Sequence, residues 1–422
     1  MRPCHSVCFP IWIRVIAVSS LVINAGFASG QRIDFTYPSY GLEVHDDNVI
    51  HNAGHLDAFY EALHALYTTG KGRINIVHIG DSHLQADFMT RFLRTSFQRD
   101  FGNAGRGLIV PLRLAKTNEP ADFRTASNRT WKAKRCVFPE QPLPIGVGGV
   151  TIENTDPNAS LQVQMMDRDV DYSFNKLTLF FLEDESSFEF SVKGRREDEI
   201  AKVLSMEDDS TRNYATVSWE EPVNTITLRP FTTREEQSRS VVFGMSLERQ
   251  DADGILYHTI GVNGARYRHY NAARYFTEQT TALHPDLIII SLGTNESVDY
   301  PRIESGIRDE IARLVSNLQQ HNPTARFLLV TPPDAFRERT KPNPGIREVR
   351  DIILGYAVDN GLAFYDMYRA LGGDGAAHRW KNNALLSSDG IHFTREGYLH
   401  QGQLFYHALI KGFNAYVPHR HP

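Results

Sequence analysis

Two short segments of the sequence combine a serine, aspartates and histidines in a pattern that suits nucleophilic catalysis. Ser82 lies in Gly80-Asp-Ser-His83, directly after a short apolar run, and Asp389 precedes His392 by three residues. A serine hydroxyl is a weak nucleophile until a neighbouring base removes its proton. A carboxylate can fix the tautomer of that base and stabilise its protonated form. The alternative for both segments is structural, because Asp and Ser also favour helix N-termini.

Two further segments contain groups that could stabilise negative charge on a carbonyl oxygen under attack. Gly264, in Gly261-Val-Asn-Gly-Ala265, can present its backbone N–H without steric obstruction. Asn295, in Gly293-Thr-Asn-Glu296, offers a side-chain amide directly after another apolar run. Taken singly, each segment is as typical of a turn or a helix cap as of an oxyanion hole. Glu296 is interpreted as a bystander.

The elements that must position these residues alternate between helices and strands at both ends of the chain. Apolar residues at helical spacing predict helices over 54–67, 303–318, 346–357 and from about 396. Apolar runs predict strands over 74–79, 286–291, 326–331 and 363–365. This alternation is typical of a parallel sheet with helices on both faces. Ligands bind at the carboxyl ends of such strands, so Ser82 and Asn295 are expected at one edge of the sheet.

The middle of the chain has a different pattern. Between about Ala121 and Gln250 the helical period gives way to alternation of apolar and polar residues with a period of two. The alternating runs are Leu161–Met165, Phe188–Val192, Ala215–Trp219 and Ile226–Leu228. Short alternating runs separated by turn-forming clusters are typical of a β-sandwich. Its position between two α/β portions makes it an insertion into the outer domain.

The N-terminus has the features of a secretory signal peptide. Positive charge at Arg2 and Arg14 accompanies a short apolar stretch, Val15–Ile23, and no acidic residue precedes Gln31. Small residues follow, and the stretch is too short for a membrane-spanning helix. We therefore predict a signal peptide at 1–30, an α/β domain formed by 31–120 and 251–422, and an inserted all-β sandwich at 121–250. After cleavage no integral membrane anchor is expected.

Composition excludes several classes of protein. The 422 residues carry a net charge of −5, with 41% hydrophobic and 23% charged residues, as in an ordinary globular protein. The chain lacks the basic excess of a non-specific nucleic-acid binder. The glycine-rich segment 102–107 has neither the phosphate-loop nor the dinucleotide spacing and predicts a structured loop. Cys136 is the one cysteine beyond the signal peptide, so no disulfide within the mature chain is expected.

Together, the four segments resemble the conserved blocks of the SGNH hydrolases, also called the GDSL esterase/lipase family. The blocks occur here in the family's order: Gly80-Asp81-Ser82, Gly264, Gly293-x-Asn295 and Asp389-x-x-His392. The resemblance covers roughly residues 50–118 and 252–415 and leaves the β-rich middle outside. It implies a flavodoxin-like three-layer α/β/α fold with an inserted all-β sandwich, and hydrolysis of esters. His83 stands where the name-giving pattern has leucine, a departure that a minority of the family shares.

The resemblance also implies a role for each matched residue. Ser82 would be the nucleophile, His392 the general base and later the general acid, and Asp389 the residue that orients His392. The oxyanion hole would consist of the backbone N–H groups of Ser82 and Gly264 with the side-chain amide of Asn295. No metal or cofactor is expected.

The position of the insert bears on the substrate. An exported SGNH enzyme with a β-sandwich between its first two blocks resembles the peptidoglycan O-acetylesterases, in which the insert resembles a carbohydrate-binding module. That resemblance implies an acetylated glycan polymer as partner and removal of acetyl from the C6 hydroxyl of N-acetylmuramic acid. The reaction would take place in the periplasm or cell envelope, or outside the cell. Aromatic residues available for a sugar-binding face, though more typical of a core, are Trp131, Tyr172, Tyr214 and Trp219.

Three alternatives remain open from the sequence. The first is an acetyl esterase acting on another polysaccharide, such as acetylated xylan. The second is an envelope O-acetyltransferase, which would use an equivalent triad to pass acetyl to a sugar hydroxyl instead of water. The third is a non-catalytic carbohydrate-binding protein, against which the presence of all four polar side chains of the blocks argues.

Overall fold

The computed structural model of the chain describes residues 32–138, 143–194, 202–203, 205–206, 213–303 and 305–417. The predicted signal peptide lies outside the described residues. In the described part, no helix is both long and apolar enough to cross a membrane.

Strands and helices follow one another along the chain as set out below. The strands are β1 (Ile50–His51), β2 (Arg73–Gly80), β3 (Gly105–Ile109), β4 (Phe123–Ala126), β5 (Lys132–Arg135), β6 (Val150–Asn154), β7 (Leu161–Met165), β8 (Phe174–Phe181), β9 (Glu189–Gly194), β10 (Lys202–Val203), β11 (Ser205–Met206), β12 (Tyr214–Val223), β13 (Thr225–Phe231), β14 (Ser240–Glu248), β15 (Gly254–Gly261), β16 (Leu287–Ser291), β17 (Arg326–Val330), β18 (Phe336–Arg337), β19 (Lys341–Pro342) and β20 (Ala363–Tyr365). The α-helices are α1 (Asp57–Thr69), α2 (Ser82–Gln85), α3 (Phe88–Phe101), α4 (Tyr267–Asn271), α5 (Phe276–Gln279), α6 (Thr294–Ser297), α7 (Ile307–His321), α8 (Pro344–Asp359), α9 (Met367–Ala370), α10 (Ala376–Asn382) and α11 (Arg395–Tyr416). Short 3₁₀ helices span Ala53–Leu56 and Thr280–Leu283.

One sheet organises the α/β domain. Its strand order is β1-β20-β17-β16-β2-β15, in which β1 pairs antiparallel with β20 and every other pairing is parallel. Numbered by their order along the chain, the five parallel strands run 2-1-3-4-5 across the sheet, which is the flavodoxin-like order. The point at which this order reverses lies between β2 and β16.

Helices cover both faces of this sheet. Leu287 and Ile289 of β16 face one apolar core, shared with α1, α3 and α11, whereas Ile288 and Ile290 face a second core, shared with α4, α7 and α8. Because successive side chains of a strand point to opposite faces, a strand buried on both sides reads as a continuous apolar run. The three-layer α/β class predicted from the sequence is confirmed.

The β-rich middle forms two antiparallel sheets with a core between them. The first has the order β10-β9-β13-β7-β4, and the second has the order β11-β12-β8-β14-β6-β5, with β3 also paired to β14. Apolar side chains of both sheets, such as Val163, Leu179 and Leu228, share the intervening core. Since β3 belongs to this second sheet and contacts β15 as well, it joins the β-rich region to the α/β sheet.

The aromatic residues that were candidates for a sugar-binding face lie mostly inside the protein. Trp131, Tyr172 and Trp219 are buried and Tyr214 is half-buried, so the first three contribute to packing rather than to an open surface.

The strand β15 was not predicted from the sequence. His258 is a buried residue of this strand and interrupts its apolar pattern. The His258 Nδ1 accepts a hydrogen bond from the Leu108 N–H at 3.0 Å.

Candidate active site

The loops that follow β2, β15 and β16 meet at the carboxyl edge of the parallel sheet. In the strand register, Gly80 at the end of β2 lies beside Gly261 on one side and Ser291 on the other. Open α/β sheets bind ligands where the strand order reverses, which here is the gap between β2 and β16. Ser82 follows the first of these strands and Asn295 the second, so both lie at this edge.

Gly80 allows the chain to turn sharply from β2 into α2. A Cβ atom at this position would lie 2.5 Å from Leu84 Cδ1 and 2.8 Å from the Ser291 carbonyl oxygen. Both distances are too short for carbon, so only glycine fits without displacement of the neighbouring strand or helix. Ser82 is consequently held at the first position of α2, directly beyond the sheet edge.

Ser82, His392 and Asp389 form a continuous hydrogen-bonded chain, although 310 residues of sequence separate the serine from the histidine. The Ser82 Oγ lies 2.8 Å from His392 Nε2, and His392 Nδ1 lies 2.8 Å from Asp389 Oδ2. All three side chains are partly accessible to solvent. The geometry is that of a nucleophile, a base in contact with it and a carboxylate that orients the base.

The Asp389 carboxylate is held by a local turn. Its Oδ1 accepts hydrogen bonds from the Ser387 hydroxyl at 2.7 Å, the Ile391 N–H at 2.8 Å and the His392 N–H at 2.9 Å. Burial by itself would raise the pKa of Asp389, but these hydrogen bonds and the one from His392 outweigh it and keep the pKa well below its usual range. Asp389 is therefore ionised whenever His392 acts as a base.

Two backbone N–H groups at the site are available to a ligand. Within the part of the chain that the structure describes, no protein acceptor takes up the N–H of Ser82 or of Gly264. Gly264 has a φ of +83°, in the region that favours glycine, and is exposed. Backbone donors of this kind suit the negative oxygen of a tetrahedral intermediate.

Asn295 lies next to these donors but has its own protein acceptors. Its Nδ2 donates to Asp81 Oδ2 at 3.1 Å and to the Ala265 carbonyl oxygen at 3.0 Å. A primary amide carries two hydrogens, so both are engaged, and a substrate oxygen would have to replace one of these acceptors. Asp81 also caps α2 by accepting from the His83 N–H at 3.0 Å, and burial raises the pKa of its carboxyl to about 7.

Comparison with known families agrees with this arrangement. Residues 231–399 match the GDSL-like lipase/acylhydrolase family, a stretch that contains Gly264, Asn295, Asp389 and His392. This stretch of the chain is similar to that family. The match and the hydrogen-bonded Ser82, His392 and Asp389 indicate a carboxylic ester hydrolase. The matched stretch excludes Ser82, which the β-rich region separates from the other blocks in sequence and the sheet brings back to them in space.

Solved structures that match the chain include three proteins named as esterases or acylhydrolases. A peptidoglycan O-acetylesterase matches with a TM-score of 0.70 and 20% identity, over 87% of this chain and 99% of that chain. A lipase/acylhydrolase from Enterococcus faecalis matches with a TM-score of 0.31 and 19% identity, over 38% and 77%. An acetyl xylan esterase matches with a TM-score of 0.30 and 18% identity, over 37% and 81%. No curated protein matches the sequence.

His83 and Gln85 of the hydrolase take part in contacts that sequence reasoning did not assign. The His83 Nδ1 lies 2.9 Å from the Tyr398 hydroxyl, and its ring centroid lies 5.4 Å from that of His392. Burial and the neighbouring His392 lower the pKa of His83 to about 3, so it adds no positive charge beside the base. Gln85 accepts from the Asn263 N–H at 2.7 Å and donates to the Thr117 hydroxyl at 2.8 Å. It thereby ties α2 to the loop that carries Gly264.

Arg106 and Asn118 lie close to the candidate site in sequence but in different surroundings. Arg106 is buried among carboxylates, whereas the Asn118 Oδ1 accepts from Gln85 Nε2 at 2.6 Å and from Asn263 Nδ2 at 2.9 Å. Cys136 is a buried thiol whose pKa burial raises to about 12, which makes it a poor nucleophile. Among the described residues, no group of three or more His, Cys, Asp and Glu side chains is placed to hold a metal ion.

Glu296 supplies a prediction about pH. Its Oε1 accepts from the Tyr267 N–H at 2.9 Å, the carboxyl is buried, and burial raises its pKa to about 7 from an ordinary value of about 4.3. Between these two pH values the native state holds a proton that the unfolded state has released, so stability falls as pH rises. We expect Glu296→Gln to reduce the loss of Tm between pH 5 and pH 8, measured by thermal denaturation. Glu348→Gln, an exposed residue of α8, is the matched control and should leave the pH dependence unchanged. Equal slopes for wild type and Glu296→Gln would contradict the assignment.

Proposed function

We propose that this hydrolase is an exported O-acetylesterase that removes acetyl groups from a cell-envelope glycan, with peptidoglycan acetylated at the C6 hydroxyl of N-acetylmuramic acid as its substrate. The observation that carries the reaction is the hydrogen-bonded chain from Ser82 through His392 to Asp389 at the edge of the sheet. The choice of substrate is supported by the similarity in fold to a peptidoglycan O-acetylesterase over 87% of this chain, which includes the β-rich region. Export is supported by the signal-peptide features of residues 1–30.

The first half of the reaction transfers acetyl to the enzyme. The Ser82 Oγ attacks the acetyl carbonyl carbon while His392 Nε2 takes the hydroxyl proton, and Asp389 stabilises the imidazolium that forms. The carbonyl oxygen becomes negative and is stabilised by the N–H groups of Ser82 and Gly264. Asn295 contributes when its amide exchanges the carbonyl oxygen of Ala265 or the Asp81 carboxyl for the substrate oxygen. Collapse of the intermediate breaks the ester bond, and His392 returns the proton to the departing sugar oxygen.

The second half regenerates the enzyme. A water molecule attacks the acetyl–Ser82 ester while His392 Nε2 removes one of its protons. The same N–H donors stabilise the second tetrahedral intermediate. Its collapse breaks the bond to Ser82 Oγ, which takes the proton back from His392, and releases acetic acid, which ionises to acetate. The partial solvent access of Ser82 and His392 is compatible with entry of both a polymer chain and this water.

The test is acetate release from O-acetylated peptidoglycan by the mature chain, compared with acetylated xylan and with a small activated acetyl ester. We expect release from peptidoglycan at the highest kcat/KM of the three substrates, and none from peptidoglycan whose esters have been removed with alkali. Release mainly from xylan would support the esterase reaction and contradict peptidoglycan as the substrate. No release from any of them would contradict the proposal, and acetyl transfer to glycan from an acyl donor would then favour the transferase.

A further inference from the structure

A cavity lies where α3, α11 and the β-rich region meet, beside the candidate active site. Its volume is about 450 Å³, and its lining includes Phe88, Leu399 and Arg395 from the helices and Met166 and Arg168 from the segment after β7. Both the α/β domain and the insert therefore contribute side chains to one open, concave surface.

A chain of packed side chains links the lining of this cavity to His392. The Phe88 ring stacks on the Tyr398 ring with their centroids 6.2 Å apart, and the Tyr398 hydroxyl lies 2.9 Å from His83 Nδ1. The His83 ring in turn lies 5.4 Å from the ring of His392. Arg395 begins α11 only three residues after His392. Phe88 of the lining is therefore separated from His392 by two packed side chains, Tyr398 and His83.

The apolar side chains of the cavity are unusually exposed for residues of their size. Phe88, Met166 and Leu399 are between 41% and 42% exposed, although each is a large hydrophobic residue. Exposed apolar residues grouped at one concave surface mark sites at which ligands bind. The flat face of Phe88 and the thioether of Met166 suit the apolar C–H faces of sugar rings.

The arginines of the cavity fall into two groups. Arg91 forms ion pairs within the protein, since its Nη2 lies 2.9 Å from Asp167 Oδ2 and 3.5 Å from Asp169 Oδ2. These ion pairs hold the loop of the insert against α3. Arg168 and Arg395 are exposed and, among the residues described, contact no carboxylate. One guanidinium comes from each domain. A planar guanidinium without a protein partner is suited to a carboxylate ligand.

We propose that this cavity binds the segment of the glycan next to the acetylated sugar, and that Arg168 and Arg395 recognise a carboxylate carried by that segment. The inference rests on the proposed function for the identity of the polymer. In peptidoglycan the carboxylates belong to the peptide attached to the sugar, whereas in a hemicellulose they belong to uronic acid side groups. The inserted domain then acts in substrate choice through Arg168 and Met166 rather than through the buried aromatic residues.

Binding to the inactive Ser82→Ala protein tests this inference independently of catalysis. Three soluble probes are titrated calorimetrically: a peptidoglycan fragment with free peptide carboxylates, the same fragment with those carboxylates amidated, and a glucuronic-acid-substituted xylo-oligosaccharide. Charge-assisted hydrogen bonds are among the stronger ones in proteins, so amidation is expected to weaken binding about tenfold or more. The double change Arg168→Gln/Arg395→Gln should weaken binding of the free fragment by a similar factor and leave the amidated fragment almost unaffected.

The control is Arg229→Gln, because Arg229 is an exposed arginine of β13 that does not line the cavity. This variant should bind all three probes like the Ser82→Ala parent. Tighter binding of the xylo-oligosaccharide than of the peptidoglycan fragment would support the carboxylate site and contradict the choice of polymer. Absence of binding, or equal binding of free and amidated fragments, would overturn the inference even if acetate release from peptidoglycan is observed. Conversely, carboxylate-dependent binding without acetate release would leave the cavity assignment standing while the proposed function fails.

Discussion

Replacing Ser82 with alanine is expected to lower kcat for an acetyl ester by about 10⁴-fold or more. The Ser82 Oγ is the atom in contact with His392 Nε2, at 2.8 Å, so its removal leaves the base with no nucleophile to activate. In serine hydrolases the members of the triad act as a unit, and loss of the serine alone removes nearly the whole contribution of the triad to the rate. The rate that remains would come from the backbone donors and from binding. Initial rates with a small activated ester, at saturating substrate, measure the change.

A matched control separates loss of the nucleophile from damage to the sheet edge. Ser291 ends the neighbouring strand β16, and its hydroxyl lies 2.7 Å from His78 Nε2 rather than from His392. Ser291→Ala should retain kcat within about tenfold, since it removes one hydrogen bond outside the triad. Covalent labelling by an active-site phosphonylating reagent should disappear in Ser82→Ala and persist in Ser291→Ala. Undiminished ester hydrolysis by folded Ser82→Ala would rule out the proposed mechanism.

Replacing Asp122 with asparagine is expected to destabilise the protein by about 3–5 kcal/mol, because it breaks a buried cluster of four charges. The cluster consists of Asp87, Arg94, Arg106 and Asp122, all at most 3% exposed. Asp122 Oδ2 lies 3.0 Å from Arg94 Nη2 and 2.5 Å from Arg106 Nε, and Asp87 Oδ2 lies 2.6 Å from Arg94 Nη2. Without the Asp122 charge, two buried guanidinium groups would share one carboxylate. The free energy of unfolding, from urea denaturation, measures the loss.

Two controls test whether burial of the charges is the reason. Asp359 forms an exposed ion pair with Arg308 at 2.8 Å, so Asp359→Asn should cost less than about 1 kcal/mol. The double change Arg106→Met/Asp122→Leu removes one positive and one negative charge together and should cost less than Asp122→Asn alone. A loss for Asp122→Asn no greater than for Asp359→Asn would show that the cluster contributes little to stability.

The same cluster is expected to make stability depend on pH with a sign opposite to that expected for Glu296. Burial by itself would raise the pKa of Asp87, but Arg94 and Arg106 outweigh it and lower the pKa below its ordinary value. A carboxyl whose pKa is lowered by folding stabilises the native state above its unfolded pKa, and this contribution is lost as pH falls through the native value. The buried cluster thus favours neutral pH, whereas Glu296 favours acidic pH.

The candidate site could be predicted from local sequence because each of its four blocks is short and follows an apolar run. Gly80 is needed where a strand turns at once into a helix, and a turn with Asp389 and His392 three residues apart places their side chains together. Such requirements are local in the chain and therefore visible in sequence. The catalytic roles of Ser82, Asp389 and His392 stay predictions until the rates are measured, whereas the distances between them are properties of the fold.

The sequence by itself determined the α/β class, the change to β structure in the middle and the segments that bear chemical groups, because periodicity and turn residues act over a few neighbouring positions. Only the tertiary structure decided the strand order that brings β2 and β16 together and the contact between Ser82 and His392 across 310 residues. It also decided that Arg106 lies in a buried cluster, that three of the candidate aromatic residues belong to the core, and that Arg168 and Arg395 line one cavity. These outcomes depend on which surfaces pack against each other. An arginine in a strand has the same local pattern whether its partner is a carboxylate, a ligand or water, and only packing distinguishes the three.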